Sequence, residues 1–325
     1  MKMILKSLLA TTMVATGTAA LADYPDKPIT LVVPFAAGGP SDKIARDLAE
    51  ALRGPLGVTV VVENAGGAGG TIGSSKVARS APDGYTLLVH HIGMATAPAL
   101  YRKLSYKVPE DFEMLGLVNE APSVVIAKSA LAPSSFNELR GWLKDNGSKV
   151  NLAHAGLGSA SHLCGLMLQN ALNQKLTTIA YKGTGPAMTD LMAGTVDLMC
   201  EQATNAVPQI ESKRVKVYGV TSKQRLSIPA LKDTPTLDES GLKGFDVQVW
   251  HGMYAPKGTP PAVVTKLNSA LRAALKDPQL IQRQEALGLT LISDDRLSPA
   301  GHRKFVEKEM ARWAKVIQEA GEYAD

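Results

Sequence analysis

The chain has 325 residues with a formal charge of +5, aromatic residues at 5% and two cysteines, and this length predicts two domains of similar size. Its charges are scattered and its aromatics sparse, which excludes a nucleic-acid interface built on a basic stripe or interleaved rings. Two cysteines alone match no zinc-ligand spacing.

The first 22 residues, "MKMILKSLLATTMVATGTAALA", place Lys2 and Lys6 ahead of an apolar, small-residue stretch that ends in Ala20, Leu21 and Ala22. This is the pattern of a secretory signal peptide cleaved after Ala22. Thr11, Thr12, Thr16 and Thr18 interrupt the run, so it reads as a removable leader and not as a membrane anchor. Removal leaves 33 basic and 30 acidic residues, a net of +3. Cys164 and Cys200 then lie in an oxidising compartment, where a disulfide between them is expected; two buried free thiols are the alternative.

Strand-like and helix-like segments alternate from there on, the pattern of parallel sheets covered by helices. "ITLVVPF" reads as a strand and 41–52 as a helix with Ile44, Leu48 and Leu52 on one face. "VTVVVEN" and "DGYTLLVHH" are the next strands, joined by a helix that begins in "GGAGGTIGSSKVARS". A second unit starts near Ser123 with the strand "SVVIAKS", the helix "SSFNELRGWLKDN" and the strand "KVNLAHAG". The helix "GLGSASHLCGLMLQNAL", the strand "LTTIAYKG", the helix "PAMTDLMAG" and the strands "VDLMCEQ" and "VKVYGVTS" follow. From "FDVQVWHGMYAP" onward, a strand and two or three helices, among them "PPAVVTKLNSALRAALKD", are expected to return to the first lobe. Two α/β lobes crossed by the chain near Ser123 and near Phe245 leave a cleft at the carboxyl ends of strands, where open α/β sheets bind ligands.

Two strand-to-helix turns, "PFAAGGPSD" and "HAGLGSASH", are placed to face each other across that cleft with backbone N–H groups and helix dipoles. The first lacks the Lys and Ser or Thr that must follow the second glycine of a phosphate loop. In "GGAGGTIG" Ile72 stands where a dinucleotide fingerprint needs its third glycine. No G-x-S-x-G elbow is present, although Ser159 comes nearest to one. The six histidines form no H-E-x-x-H motif, so no metal site is expected. His162 is the histidine of interest, close behind Ser159 and Ser161 at a helix start.

Taken in order, "YPDKPITLVVPFAAGGPSDKIAR", "VVENAGGAGGTIG", "APDGYTLL", "GLGSASHL", "YKGTGPAMTDLMAGTVDLM" and "VWHGMYAPKGTP" resemble the Bug family, the exported solute receptors of tripartite tricarboxylate transporters. The resemblance implies an α/β, two-lobed periplasmic binding protein fold of type II-like form, each lobe a sheet flanked by helices with the ligand cleft between them. Lobe 1 would comprise 23–122 and 245–325, and lobe 2 would comprise 123–244. The resemblance further implies a periplasmic, monomeric protein that binds a small carboxylate, works with the membrane subunits of the transporter, needs no cofactor and catalyses nothing. It assigns Phe35, Ala37, Gly38, Gly39 and Asp42 to the first turn and Gly156, Ser159, Ser161 and His162 to the second. Tyr181, Lys182, Gln202 and Thr204 follow on two further loops, while His90, His91, Lys182 and Glu201 would decide which acid is accepted. An exported hydrolase using Ser159 and His162, or a ligand-sensing subunit of a membrane sensor, are the alternatives.

Overall fold

Every residue of 29–33 except Thr30 is buried, as befits a strand covered on both faces. In the computed structural model, which describes residues 24–324, this is β1 (Ile29–Val33). The expected signal peptide and its cleavage point at Ala22 lie outside the described residues. The chain continues through α1 (Pro40–Leu56), β2 (Val60–Asn64), α2 (Thr71–Ala78), β3 (Thr86–His91) and α3 (Gly93–Leu100). It then enters β4 (Phe112–Lys128), a strand of 17 residues.

Next come α4 (Phe136–Asn146), β5 (Asn151–His154), α5 (Ala160–Leu172), β6 (Thr177–Ala180), α6 (Thr184–Ala193), β7 (Leu198–Gln202), α7 (Ala203–Glu211) and β8 (Val215–Val220). The tail adds β9 (Gln248–Pro256), α8 (Pro261–Ala274), α9 (Pro278–Ala286), β10 (Thr290–Leu291) and α10 (Pro299–Ala320). Pro261 and Pro299 sit in the first turn of their helices, where a missing N–H costs nothing.

The strands run in the order β2-β1-β3-β9-β4-β7-β5-β6, with β8 and β10 also on β4. The sheets are mixed and not parallel throughout. β1 pairs in parallel with β2 and β3, and β5 with β6 and β7, but β9 is antiparallel to both β3 and β4. The reason is β4, whose first part pairs with β9 and whose last part pairs with β7 and β8. A strand shared by both lobes needs no helical crossover, so its neighbours can run against it.

Apolar packing divides accordingly. One buried cluster draws on 29–121 and 249–317, together with Ala160 and Leu163, and two others draw on 124–247. β9, α8 and α10 of the tail contribute buried side chains to the first of these clusters. The buried Thr221 joins the crossings: its N–H donates to Ser123 O (2.9 Å), its hydroxyl donates to Val247 O (2.6 Å), and Ser123 N–H donates to that hydroxyl (2.9 Å). Cys164 of α5 and Cys200 of β7 form a disulfide, with their Cα atoms 5.8 Å apart. Among the described residues no helix is long and apolar enough to cross a membrane.

Candidate functional site

Val33 ends β1, and the chain turns through 34–39 before α1 begins at Pro40. Gly38 has φ of +79°, a conformation that side chains disfavour, whereas Gly39, the N-cap of α1, is extended. The first-turn N–H groups of such a helix have no intrahelical acceptor, and Pro40 removes one of them, leaving those of Ser41 and Asp42. The loop behind the turn comes very close: a Cβ on Gly66 would lie 3.2 Å from Ala36 N. The glycines of "NAGGAGG" therefore serve packing behind the site.

The second lobe repeats the arrangement. Ser159 caps α5 by accepting a hydrogen bond from His162 N (3.2 Å), Ser161 Oγ accepts from Ala155 N (2.9 Å), and the two hydroxyls lie 3.2 Å apart. Between the two turns is a cavity of about 320 Å³ bordered by 35–41, His91, Ala155, 159–161, 182–186, Glu201, Gln202 and Asn205. That is the size of a small-molecule pocket. A larger crevice of about 650 Å³ lies beside the crossings, lined by 222–228 and 288–293. Its cations Lys223 and Arg225 are already paired with Asp246 and Glu239, and neither helix N-terminus of the two glycine turns borders it.

Ten residues expected in the cleft border the cavity: Phe35, Ala37, Gly38, Gly39, His91, Ser159, Ser161, Lys182, Glu201 and Gln202. Six do not. His90 is buried, its Nδ1 accepting from His91 N (2.7 Å). Asp42 is turned away, its carboxylate accepting from Gly38 N (2.8 Å), Arg46 Nε (3.0 Å) and Asn64 Nδ2 (2.9 Å). Burial pushes its pKa up, but these bonds outweigh burial and hold it below the usual carboxylate range. Gly156, with φ of +108°, shapes the turn beside Tyr181 O. His162 faces the C-terminal tail: Nδ1 accepts from Gly158 N, and Nε2 lies 2.7 Å from Glu322 Oε2. Both ring nitrogens are thus engaged away from Ser159 Oγ, which removes the geometry that a Ser159–His162 hydrolase would need. Tyr181 is held by Asp190 through its hydroxyl (2.6 Å), and Thr204 is fully buried in the first turn of α7.

Ser41 and Asn205 border the cavity without having been expected there. Ser41 could have been found as the second residue of a helix opening at a glycine turn. Asn205 could not, because Pro208 conceals α7 in the sequence.

Three side chains set the electrostatics. His91 Nδ1 accepts from Gly93 N (2.8 Å), so its ring proton is on Nε2. Burial lowers its pKa to about 3, which makes it a neutral donor, and its ring stacks on Phe35 at 4.4 Å between centroids. Lys182, exposed, is the one cation among the described residues that border the cavity. Glu201 is 2% exposed with Oε2 unpartnered. Burial pushes it up to about 8, against the Gln202 amide and the Lys43 charge, so near neutrality it is a carboxylic acid able to donate.

The unfolded chain ionises this carboxyl from about pH 4.5 upward while the fold keeps it protonated to about 8, so Glu201 makes stability fall as pH rises through that window. Glu201→Gln removes the effect. Urea denaturation should find the variant close to the parent near pH 4.5 and increasingly more stable than it toward pH 8; a constant difference would contradict a buried neutral acid. Among the described residues no group of three or more His, Cys, Asp or Glu is placed to hold a metal.

Residues 44–322 match the model of the tripartite tricarboxylate transporter family receptor. A relative from Agrobacterium vitis, the UPF0065 protein in the TAR-I ttuE-ttuC' intergenic region, is 46% identical over 314 residues, covering 97% of this chain and 90% of that protein. The solved periplasmic binding protein BugD is similar at 50% identity with a TM-score of 0.87, over 93% of this chain and 100% of that one. MatC (Rpa3494) from Rhodopseudomonas palustris, solved with bound malate, is 38% identical with a TM-score of 0.85, over 90% of this chain and 100% of that one.

Proposed function

The chain belongs to the tripartite tricarboxylate transporter family of receptors, and from that premise we propose that it is an exported periplasmic receptor that captures a small organic acid and delivers it to the membrane subunits of such a transporter. The observation that carries this reading is the cavity of about 320 Å³ onto which the N-terminal turns of α1 and α5 both open, with no buried cation among the described residues at its wall. Backbone N–H groups, two helix dipoles and the neutral His91 donor favour an anion in such a place. The malate in MatC is an acid of the size such a cavity admits. Capture would close lobe 1 (23–122 and 245–325) on lobe 2 (123–244) about the crossings tied by Thr221, a hinge motion around a bound ligand.

Calorimetry against short-chain mono- and dicarboxylates tests the reading. At least one should bind with micromolar or tighter affinity, and failure of all of them would overturn it. Gly39→Val probes the backbone cradle: its Cβ meets no atom closer than Ala36 O at 3.5 Å and its backbone is extended, so the fold accepts the side chain while the ligand space does not. We expect affinity to fall by about tenfold or more, roughly 1.4 kcal/mol, with a change in stability of about 1 kcal/mol or less. Lys43→Ala should change affinity by less than about threefold, because Lys43 is not among the residues that line the cavity. The reverse order of effects would make the turn a cation site.

A further inference from the structure

We propose that Ser41 selects for an acid carrying a hydrogen-bond donor, a hydroxyl or an ammonium group, close to its carboxylate, because a one-way chain of buried side chains commits the Ser41 hydroxyl proton to His251. The proposal rests on the cavity being the acid-binding site.

The direction of the chain is set at its far end. Asp47 is a carboxylate held by Arg283 Nη1 (3.5 Å), and a carboxylate only accepts. Gln284 must therefore turn its amide nitrogen to Asp47, as it does at 3.4 Å, which leaves Gln284 Oε1 facing Asn119. Asn119 donates to that oxygen through Nδ2 (2.6 Å) and so presents Oδ1 to His251 Nδ1 at 2.9 Å. His251 consequently carries its ring proton on Nδ1. Burial, with His91 beside it adding to the effect, keeps the imidazole neutral, so Nε2 has only a lone pair to offer. Ser41 Oγ lies 3.2 Å from that atom and is the donor.

Gln284, Asn119 and His251 are all 1% exposed or less, so no solvent can repair a reversed link. Turning any one of them would set two acceptors or two donors face to face in a dry site. Ser41, itself at the cavity wall, thus shows the ligand only the lone pairs of its oxygen. A bare carboxylate oxygen placed there meets an acceptor, and satisfying it by rotating the hydroxyl would strand His251 Nε2. A ligand hydroxyl or ammonium meets a partner.

Calorimetry with malate, aspartate and succinate separates the cases, since these four-carbon dicarboxylates differ in carrying a 2-hydroxyl, a 2-ammonium or neither. Malate, aspartate or both should bind at least about tenfold more tightly than succinate, and which of them does so identifies the donor. Ser41→Ala should bring the preferred acid to within about twofold of succinate. Succinate binding as tightly as both others, or a preference that survives Ser41→Ala, would overturn the proposal.

Nitrogen-15 NMR of the ligand-free protein reads the chain independently of any ligand. The His251 resonances, identified by their loss in His251→Asn, should report a neutral ring protonated on Nδ1. A ring protonated on Nε2 would overturn the proposal even if acids bind, whereas the expected tautomer without binding of any acid would count against the receptor reading alone. Gln284→Leu should shift the tautomer toward Nε2–H and shrink the preference; an unchanged tautomer and preference would show that the chain does not set the direction.

Discussion

Between about pH 7 and about pH 5 the protein should lose most of its resistance to urea, the largest pH effect expected of it. All six of its histidines are buried. In five of them burial lowers the pKa below the ordinary 6.5: to about 3 for His91 and His302, to about 4 for His154, and well below 6.5 for His90 and His251. In the unfolded chain these rings take up protons as pH falls through 6.5, while the fold keeps them neutral. The unfolded state then binds more protons, and stability declines with falling pH until the folded pKa values are reached. At pH 5 each of His91, His154 and His302 costs roughly 2 kcal/mol, so that these three approach roughly 6 kcal/mol, comparable with the 5–15 kcal/mol that typically holds a fold together, and His90 and His251 act in the same direction.

Glu201 acts in the opposite direction, but it is one group, and its contribution is complete by about pH 4.5. Urea midpoints measured at about pH 7, 6 and 5 should fall ever more steeply. A midpoint that stays level across that range would mean that the rings are not held neutral.

Removing the disulfide by replacing Cys164 and Cys200 with Ala should lower the stability of the folded protein by roughly 3–4 kcal/mol, the loop-closure contribution expected for a cross-link spanning 36 residues. In a chain of this size that corresponds to a fall in Tm of roughly 5–6 °C. Both sulfurs belong to the cluster packed around Leu152, Leu168 and Leu198, so the truncation also loosens core contacts. The bridge joins α5, whose first residues border the cavity, to β7, which ends in Glu201 and Gln202 at the same wall. Loss of the cross-link should therefore weaken ligand binding together with stability. Alkylation of the unreduced, denatured parent should label neither thiol. Full labelling of both, or a variant melting at the parent's temperature, would contradict a structural bridge.

What the sequence determined by itself was the local grammar. Alternation of apolar strands and amphipathic helices announced the α/β class, because burial periodicity is written into neighbouring residues. Ala37, Gly38, Gly39, Ser159 and Ser161 were legible because a strand that empties through glycine or serine into a helix has few other uses. Two cysteines in a chain expected to be exported were enough to expect a bridge between Cys164 and Cys200, and the structure has it.

The long strand β4 was not legible beyond its last part. Gly116, Asn119, Glu120 and Pro122 break its apolar run, and they are tolerated there because β9 and β10 pair with that stretch from far along the chain. Asp42 and His162 carried the right chemistry at the right turns, yet tertiary partners, Asn64 for one and Glu322 for the other, draw them away from the cavity. The polarity of Ser41 was beyond any local pattern. Its partner His251 lies 210 residues away, and Asn119 lies 132 residues from His251. Only the packing of β9 between β3 and β4 brings these side chains into one dry column, where each buried donor must find an acceptor and the direction of every hydrogen bond is fixed by the next.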